Sequence, residues 1–166
     1  NYNTAMGGQA MFYTTTGSYN CAFGYDALQD LTTGSYNVAI GHMANDKATT
    51  CNGAVAIGYQ ALYTDTDASY AVAIGFEALK SQTTATSMVA IGYRAGHNIT
   101  TGSNNTLLGY STGFSMTEAA NNTAVGNSAL YAITDAGHRN TALGASAGGA
   151  LTSGHDHVLS GYNTLG

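Results

Sequence analysis

The sequence predicts an all-β fold, a β-solenoid (parallel β-roll) of about ten rungs with 17 residues each. A glycine recurs at a nearly constant interval, the residues around it form columns of constant chemistry, and only 8% of the chain is charged. The interval is 17 residues except for one step of 18 between Gly126 and Gly144. This Gly column consists of Gly7, Gly24, Gly41, Gly58, Gly75, Gly92, Gly109, Gly126, Gly144 and Gly161. We number the other repeat positions from it, so that position −1 precedes the glycine and position +1 follows it.

A short strand is predicted at positions −3 to −1. Position −3 is Val or Thr in nine repeats, position −2 is Ala in eight, and position −1 is large and apolar in nine. β-Branched residues favour an extended, half-buried backbone. The clearest examples are residues 55–57, 72–74 and 89–91. Position −1 supplies a structural ladder that includes Ile40, Ile57, Ile74 and Ile91.

The two faces of this strand differ in bulk, because side chains alternate along a strand. Positions −3 and −1 make one bulky face, whereas position −2 and the glycine make a nearly bare one. Burying a Val or Ile side chain is worth roughly 1.5–3 kcal/mol, so we expect the bulky face inside the coil. The bare Ala/Gly face would then lie outside, where a neighbouring chain can approach it closely.

Position +1 is rich in aromatic residues, among them Tyr59, Phe76 and Tyr93. Stacked on successive rungs, they would form an aromatic ladder in which each pair adds about 0.5–1.5 kcal/mol. Position +3 is usually Ala and is often followed by Leu, which we interpret as a corner and a second, shorter strand. The Gly column itself is explained by a positive φ or a crowded contact. Its members include Gly41, Gly58, Gly75 and Gly92.

Position +8 is Thr in every complete repeat. Regular Thr rows on a flat solenoid face are a feature of several ice-binding proteins, so this column is a candidate surface ladder. Its most regular part consists of Thr49, Thr66, Thr83 and Thr100. The neighbouring position +9 is irregular, with Thr84 in one repeat but Asp67 in another, and this weakens the ice-binding interpretation.

Along the chain, the repeats change gradually. Residues 1–52 carry Thr-Gly-Ser-Tyr-Asn turns, residues 53–103 carry the most regular strands, and residues 104–156 replace Val by Thr. The extra residue falls between Thr134 and Asn140, where we expect a loop bulge without a break in the stack. The partial repeat from His157 is the most degraded. We expect residues 1–166 to form a single repeat domain that is a fragment of a longer fibre.

Composition argues against several classes of protein. The chain has 22 Gly, no Pro and no Trp, and its charged fraction is far below the roughly 25% of an ordinary domain. Its net charge of −5 includes only four basic residues, too few to neutralise a phosphate backbone, so we expect no nucleic-acid partner. No apolar run approaches the ~20 residues that span a bilayer, so we expect no membrane insertion of this segment.

Residues with catalytic or metal-binding chemistry form no convincing cluster in the sequence. The acidic residues are scattered over connecting loops, and no nucleophile motif or phosphate-binding loop is present. We therefore predict no catalytic residue, no enzyme activity and no cofactor. His155 and His157 form a His-x-His pattern, a weak metal candidate for which a solvated turn is the simpler explanation. Cys21 and Cys51 occupy different columns, so free buried thiols are expected unless those columns meet.

The repeat resembles a known family. Val-Ala-Ile-Gly at residues 55–58, 72–75 and 89–92, with Asn-Val-Ala-Ile-Gly at 37–41 and Asn-Thr-Ala-Val-Gly at 122–126, is similar to the head repeat of YadA-type trimeric autotransporter adhesins. Similar repeats occur in bacteriophage tail fibres. The resemblance implies a left-handed parallel β-roll, a homotrimer and a role in attachment. The longer, Thr-rich connection and the lack of a neck, stalk or membrane anchor depart from the adhesin pattern and favour a phage-like fibre.

We therefore expect a structural and adhesive fibre segment, of a phage tail fibre or a cell-surface adhesin, that mediates attachment to a host surface. Its location would be extracellular or on the virion, and its partners would be two further copies and a cell-surface glycan or protein receptor. One alternative is an ice-binding or other surface-binding solenoid that uses the Thr ladder. An acyltransferase of the left-handed β-helix kind needs hexads around the whole coil. Each coil here has only one hexad, so we do not expect this class of enzyme.

Overall fold

The computed structural model describes residues 1–67 and 69–165. In these residues the chain is an all-β solenoid without a helix, as predicted. Ten three-residue strands form one parallel sheet in the order β1-β2-β3-β4-β5-β6-β7-β8-β10-β12. They are β1 (Thr4–Met6), β2 (Cys21–Phe23), β3 (Val38–Ile40), β4 (Val55–Ile57), β5 (Val72–Ile74), β6 (Val89–Ile91), β7 (Thr106–Leu108), β8 (Thr123–Val125), β10 (Thr141–Leu143) and β12 (Val158–Ser160). A second, two-stranded parallel sheet pairs β9 (Gly137–His138) with β11 (Gly154–His155).

Equivalent residues of successive rungs lie side by side, as the periodicity predicts. Val55 pairs with Val72, and Ile57 pairs with Ile74. The extra residue of the eighth repeat does not shift this register, since Thr123 of β8 still pairs with Thr141 of β10. The insertion is taken up just before β10, where the short strand β9 forms. With about 4.8 Å between parallel strands, ten rungs extend roughly 45 Å.

The prediction for the two strand faces is wrong. The Ala residues of position −2 are buried inside the coil, with Ala39, Ala56 and Ala73 at 0% exposure. The large residues of positions −3 and −1 point outward, and Ile40 remains 39% exposed. The burial of a single Val or Ile side chain does not decide the orientation, because the opposite wall of the coil limits the space. Buried Leu residues such as Leu62 already occupy the narrow interior, so the small Ala side chains face inward.

Position +4 on the opposite wall faces position −2 across the interior, and the side chains at these two positions share a limited volume. Position −2 is Leu instead of Ala at Leu107, and position +4 is Gly instead of Leu both in the same rung and in the rung before it. A Cβ atom would lie 2.9 Å from Leu107 Cδ1 at Gly96 and 3.1 Å from it at Gly113. Leu159 and Gly148 repeat the exchange, since a Cβ atom added at Gly148 would lie 2.6 Å from Leu159 Cδ1. The core therefore keeps its volume by moving a Leu from one wall to the other.

The predicted second strand at positions +3 and +4 does not form, and turns take its place. Positions +2 and +4 adopt a left-handed backbone, as at Glu77 (φ 54°) and Leu79 (φ 49°). Two left-handed residues in three reverse the chain direction and prevent an extended strand. Backbone hydrogen bonds still join the rungs there, with Leu62 N donating to Ala78 O at 3.0 Å.

A buried amide ladder at position −4 holds the start of several strands. Asn37 Nδ2 donates to Asn20 Oδ1 at 3.1 Å, and the Asn37 backbone N–H donates to the same oxygen at 2.9 Å. Asn122 makes the same two bonds to Asn105. Position −4 is Asn in six of the ten repeats, and the side-chain amides of these residues form the ladder. The ladder satisfies polar groups that would be costly to bury without partners.

Candidate interaction surfaces

One side of the rod is an apolar surface that no other part of residues 1–67 and 69–165 covers, and we name it the Val/Ile face. It comprises the outward residues of positions −3 and −1 on all ten rungs. Within it, Phe23 is 50% exposed, Ile91 is 38% exposed and Leu143 is 55% exposed. Its twenty positions contain no Asp, Glu, Lys or Arg. Exposed apolar patches that lack charge mark interaction sites on proteins.

An aromatic ladder runs along the edge of the Val/Ile face, at position +1. Tyr59, Phe76 and Tyr93 stack on successive rungs with centroids 4.9 and 5.4 Å apart. The stack includes six rings, Tyr25, His42, Tyr59, Phe76, Tyr93 and Tyr110. This confirms the predicted aromatic ladder. Its rings are about half exposed, with Phe76 at 41%, so the ladder widens the apolar surface.

This surface is as large as the largest apolar patches that soluble monomers expose. Positions −3 to +1 span about 13 Å along the chain, and ten rungs span roughly 45 Å. The resulting area of roughly 600 Å² is at the upper end for the largest patch of a soluble monomer. It also approaches the roughly 800 Å² that one partner contributes to a standard protein interface. The Val/Ile face can therefore carry a specific association.

The predicted Thr ladder lies on bends at the far end of each rung. The hydroxyls of Thr49, Thr66, Thr83 and Thr100 are engaged within the rod, because each of these four donates to the backbone carbonyl of the next Thr. Thr49 Oγ1 lies 3.0 Å from Thr66 O, and Thr66 Oγ1 lies 3.2 Å from Thr83 O. Thr83 Oγ1 lies 3.2 Å from Thr100 O, and Thr100 Oγ1 lies 3.2 Å from Thr117 O. The hydroxyl protons therefore hold rungs together, and only oxygen lone pairs remain for an external partner.

The wall opposite the Val/Ile face carries an ion-pair cluster around Glu77, which the sequence interpretation missed. Its Oε1 lies 2.7 Å from Lys80 Nζ, and its Oε2 lies 2.7 Å from Arg94 Nε and 3.4 Å from His97 Nε2. Burial acts to raise the pKa of Glu77, but the hydrogen bonds from Lys80 and Arg94 outweigh it and hold the pKa below its usual range. Because the cluster joins rungs five and six, its role is explained by stability.

The histidines of the predicted metal candidate do not converge. His155 stacks on His138 with centroids 5.4 Å apart, whereas His157 takes the place of an Asn just before β12 and its backbone N–H donates to Asn140 Oδ1 at 3.1 Å. In residues 1–67 and 69–165, no group of three or more His, Cys, Asp or Glu could hold a metal ion. Cys21 and Cys51 are free thiols, Cys51 buried and Cys21 half-buried on the Val/Ile face.

A second aromatic stack lies on the wall that carries Glu77, at position +5, and sequence reasoning also missed it. His97, Phe114 and Tyr131 stack with centroids 5.2 and 5.3 Å apart. The next residue of this column is Gly149, so the stack stops and one face of Tyr131 is uncovered. An open groove of about 350 Å³ lies there. Aligning position +5 as a column of its own would have revealed the three rings and the glycine.

Within the described part of the chain, no helix could cross a membrane. No family model, curated protein or solved structure matches the chain.

Proposed function

We propose that the chain is a structural and adhesive segment of a fibre, a phage tail fibre or a cell-surface adhesin, in which three copies associate through the Val/Ile face. The observation that carries this proposal is an uncharged apolar face that continues over ten rungs. Left in water, such a face would make the monomer prone to unspecific association. A partner that covers it must match its length, and another copy of the same rod does.

Three rods around a common axis suit the shape of this face. In a parallel assembly, each rung meets the equivalent rungs of its neighbours, so Ile meets Ile and ring meets ring along the whole length. Closed cyclic symmetry leaves no apolar edge for further chains. The resemblance of the Val-Ala-Ile-Gly repeat to trimeric adhesin heads supports the same stoichiometry and a left-handed coil.

Attachment to a host surface would use exposed side chains outside the Val/Ile face. A ladder of Tyr side chains at position −5 is strongly exposed, with Tyr2 at 74%, Tyr36 at 65% and Tyr70 at 69%. Tyr2 and Tyr19 stack at 5.0 Å, and Tyr19 and Tyr36 stack at 5.1 Å. Exposed Tyr is enriched in binding surfaces because it adds contact area at little entropic cost. These features support a receptor-engaging fibre located outside the cell or on the virion.

Sedimentation equilibrium tests the assembly. The wild-type chain of 16.9 kDa is expected to sediment at three times that mass. The double variant Ile57→Asp, Ile74→Asp is expected to be monomeric, because assembly would bury two unpaired carboxylates. Its matched control is Thr84→Asp with Thr101→Asp, which adds the same charges one rung apart at exposed positions outside the face. A monomeric wild type, or a control that dissociates equally, would contradict the proposal.

Adsorption tests the adhesive role separately. The wild type is expected to co-sediment with bacterial cells of a host panel, and the monomeric variant is expected to bind less because it loses multivalency. A trimer that adsorbs to no cell would retain the fibre and remove the adhesive role. A monomer that produces thermal hysteresis in ice growth would favour the ice-binding alternative.

A further inference from the structure

The groove beside Tyr131 is a small, uncharged recess on the wall opposite the Val/Ile face. It is lined by Ser128, Tyr131, Ser146, Gly149, Ala150 and Asn163. These residues come from three successive rungs at positions +2, +5 and +6. Because position +4 of the same segment packs across the interior against position −2, this wall faces away from the proposed trimer axis. The groove would thus stay open in the assembled fibre.

The floor of the groove is an aromatic ring that is held from below. Phe114 stacks on one face of Tyr131 with an interplanar angle of 5°, so the opposite face is directed toward the next rung. That rung has Gly149, which supplies no side chain to cover the ring, and Tyr131 is 40% exposed. Tyr131 is therefore a fixed aromatic platform at the end of the stack. The space above it is where the next ring of the stack would lie.

Polar groups surround this platform on the side of position +2. Ser128 Oγ donates to Asn127 Oδ1 at 3.0 Å and keeps its lone pairs as acceptors. Ser146 Oγ and the side-chain amide of Asn163 have no hydrogen bond to another residue in the described part of the chain. The backbone around them is nonetheless held in place, since Asn163 N donates to Ala145 O at 2.9 Å and Gly149 N donates to Ser146 O at 2.9 Å. Donors and acceptors are thus available beside an aromatic face.

From this geometry we infer that the groove binds one pyranose ring of a surface glycan, stacked on Tyr131. A pyranose has an apolar face of C–H groups and a rim of hydroxyls, and the groove offers an aromatic floor beside hydroxyl and amide groups. Its volume lies in the range of small-molecule sites. A nucleotide would also stack, but no basic residue lines the groove to hold its phosphate.

This inference rests on the proposed attachment function and names the chemistry of its receptor. A single sugar ring is expected to bind weakly, with a Kd of about 1 mM. Three copies on one fibre would engage a polysaccharide together, and avidity would raise the overall affinity without new contacts. Weak individual sites are therefore sufficient for attachment.

Saturation-transfer NMR with the methyl glycosides of glucose, galactose, mannose and N-acetylglucosamine tests the site. At least one glycoside is expected to receive saturation at the C–H groups of one ring face. Tyr131→Ala is expected to weaken this binding at least about tenfold, because the platform is lost. Gly149→Tyr is expected to abolish it, because the new ring would continue the stack and occupy the groove.

The two variants affect stability differently, which separates binding from folding. Tyr131→Ala removes stacking on Phe114 and should lower the Tm, whereas Gly149→Tyr adds a ring to the column against a Cβ contact of 3.1 Å with Ser146 O and should change the Tm little. Phe12→Ala is the matched control, since it removes an exposed ring at position +5 of the first rung, seven rungs from the groove, and should leave binding unchanged.

Three outcomes would overturn the site: no saturation transfer to any glycoside, transfer to indole but to no glycoside, or transfer that Gly149→Tyr leaves unchanged. Failure of the fibre proposal is recognised separately by sedimentation. A trimer that adsorbs to cells equally with and without Gly149→Tyr would disprove the groove as the receptor site while the fibre proposal stands.

Discussion

At the scale of single residues, the Gly column shows how a repeat depends on its most constant member. Gly75 has φ +138°, and an added Cβ would overlap the carbonyl oxygen of Gly92 on the next rung. Side chains rarely tolerate this part of conformational space, and the next rung leaves no room. Both explanations for the column, a positive φ and a crowded contact, are thus confirmed, and nine of its ten glycines contact the next one in this way.

We expect Gly75→Ala to lower the free energy of unfolding by more than about 2 kcal/mol, because strain and steric overlap add. Urea denaturation checks the change. Gly53→Asn is the matched control, since Gly53 has φ +66° and the equivalent residues Asn104 and Asn121 adopt φ 60° and 61°. That variant should change stability by less than about 1 kcal/mol. Equal stability of Gly75→Ala and the wild type would contradict the steric argument.

Glu77 makes the stability depend on acid pH. Its pKa lies below the ordinary value in the folded chain, so the unfolded chain binds more protons in the acidic range. The stabilisation is therefore complete above about pH 4.5 and is lost as the pH falls through the folded pKa. Glu77→Gln should be less stable at pH 7 and should show a shallower loss of Tm below about pH 4.5.

Thermal unfolding between pH 3 and pH 7 measures this effect. The control is Glu118→Gln, which changes an exposed residue that takes part in no ion pair within the described segments. A Glu77→Gln profile parallel to that of the wild type would show that the cluster does not contribute to folding.

At the scale of elements, the rung is a strand with a tight turn packed across from it, and the two exchange volume. Leu107 fills the space that Gly96 and Gly113 leave open. The exchange is visible in the sequence only after the positions that face each other are known. It shows that the interior has a fixed width that every rung must respect.

Leu107→Ala should therefore lower the free energy of unfolding by about 2–5 kcal/mol, because the flanking glycines leave a cavity. The triple variant Leu107→Ala, Gly96→Leu, Gly113→Leu reproduces the pattern of the neighbouring rungs and should recover most of that loss. Guanidinium denaturation of the three proteins measures both steps. A triple variant less stable than Leu107→Ala would disprove the exchange between walls.

At the scale of the whole molecule, the two thiols report on which surface is covered. Burial raises the pKa of Cys51 to about 12, so it carries almost no thiolate at pH 8. Cys21 lies on the Val/Ile face, half-buried in the single chain. If that face is the interface, assembly shields Cys21 as well.

We expect iodoacetamide at pH 8 to modify neither thiol rapidly in the wild-type assembly. In the monomeric Ile57→Asp, Ile74→Asp variant, Cys21 should react several-fold faster while Cys51 stays protected. Peptide mass spectrometry over time distinguishes the two sites. Equal rates at Cys21 in both proteins would place the interface elsewhere on the rod.

The sequence by itself determined the repeat, the ten strands, their register and the aromatic ladder at position +1. These follow from local rules, since the stacking of Ile57 on Ile74 needs only a constant period and an extended backbone. The continuation of the register past the extra residue before Asn140 was predictable for the same reason.

Only the tertiary structure decided which strand face lies inside. That choice depends on the distance between the two walls, and Leu62 and Leu79 of the opposite wall leave room for Ala56 and Ala73 but not for Ile57. The same holds for the groove at Tyr131, which exists because Phe114 supports the ring and Gly149 leaves its other face open. Interior width and the neighbour of a given side chain are properties of the closed coil, and no single repeat contains them.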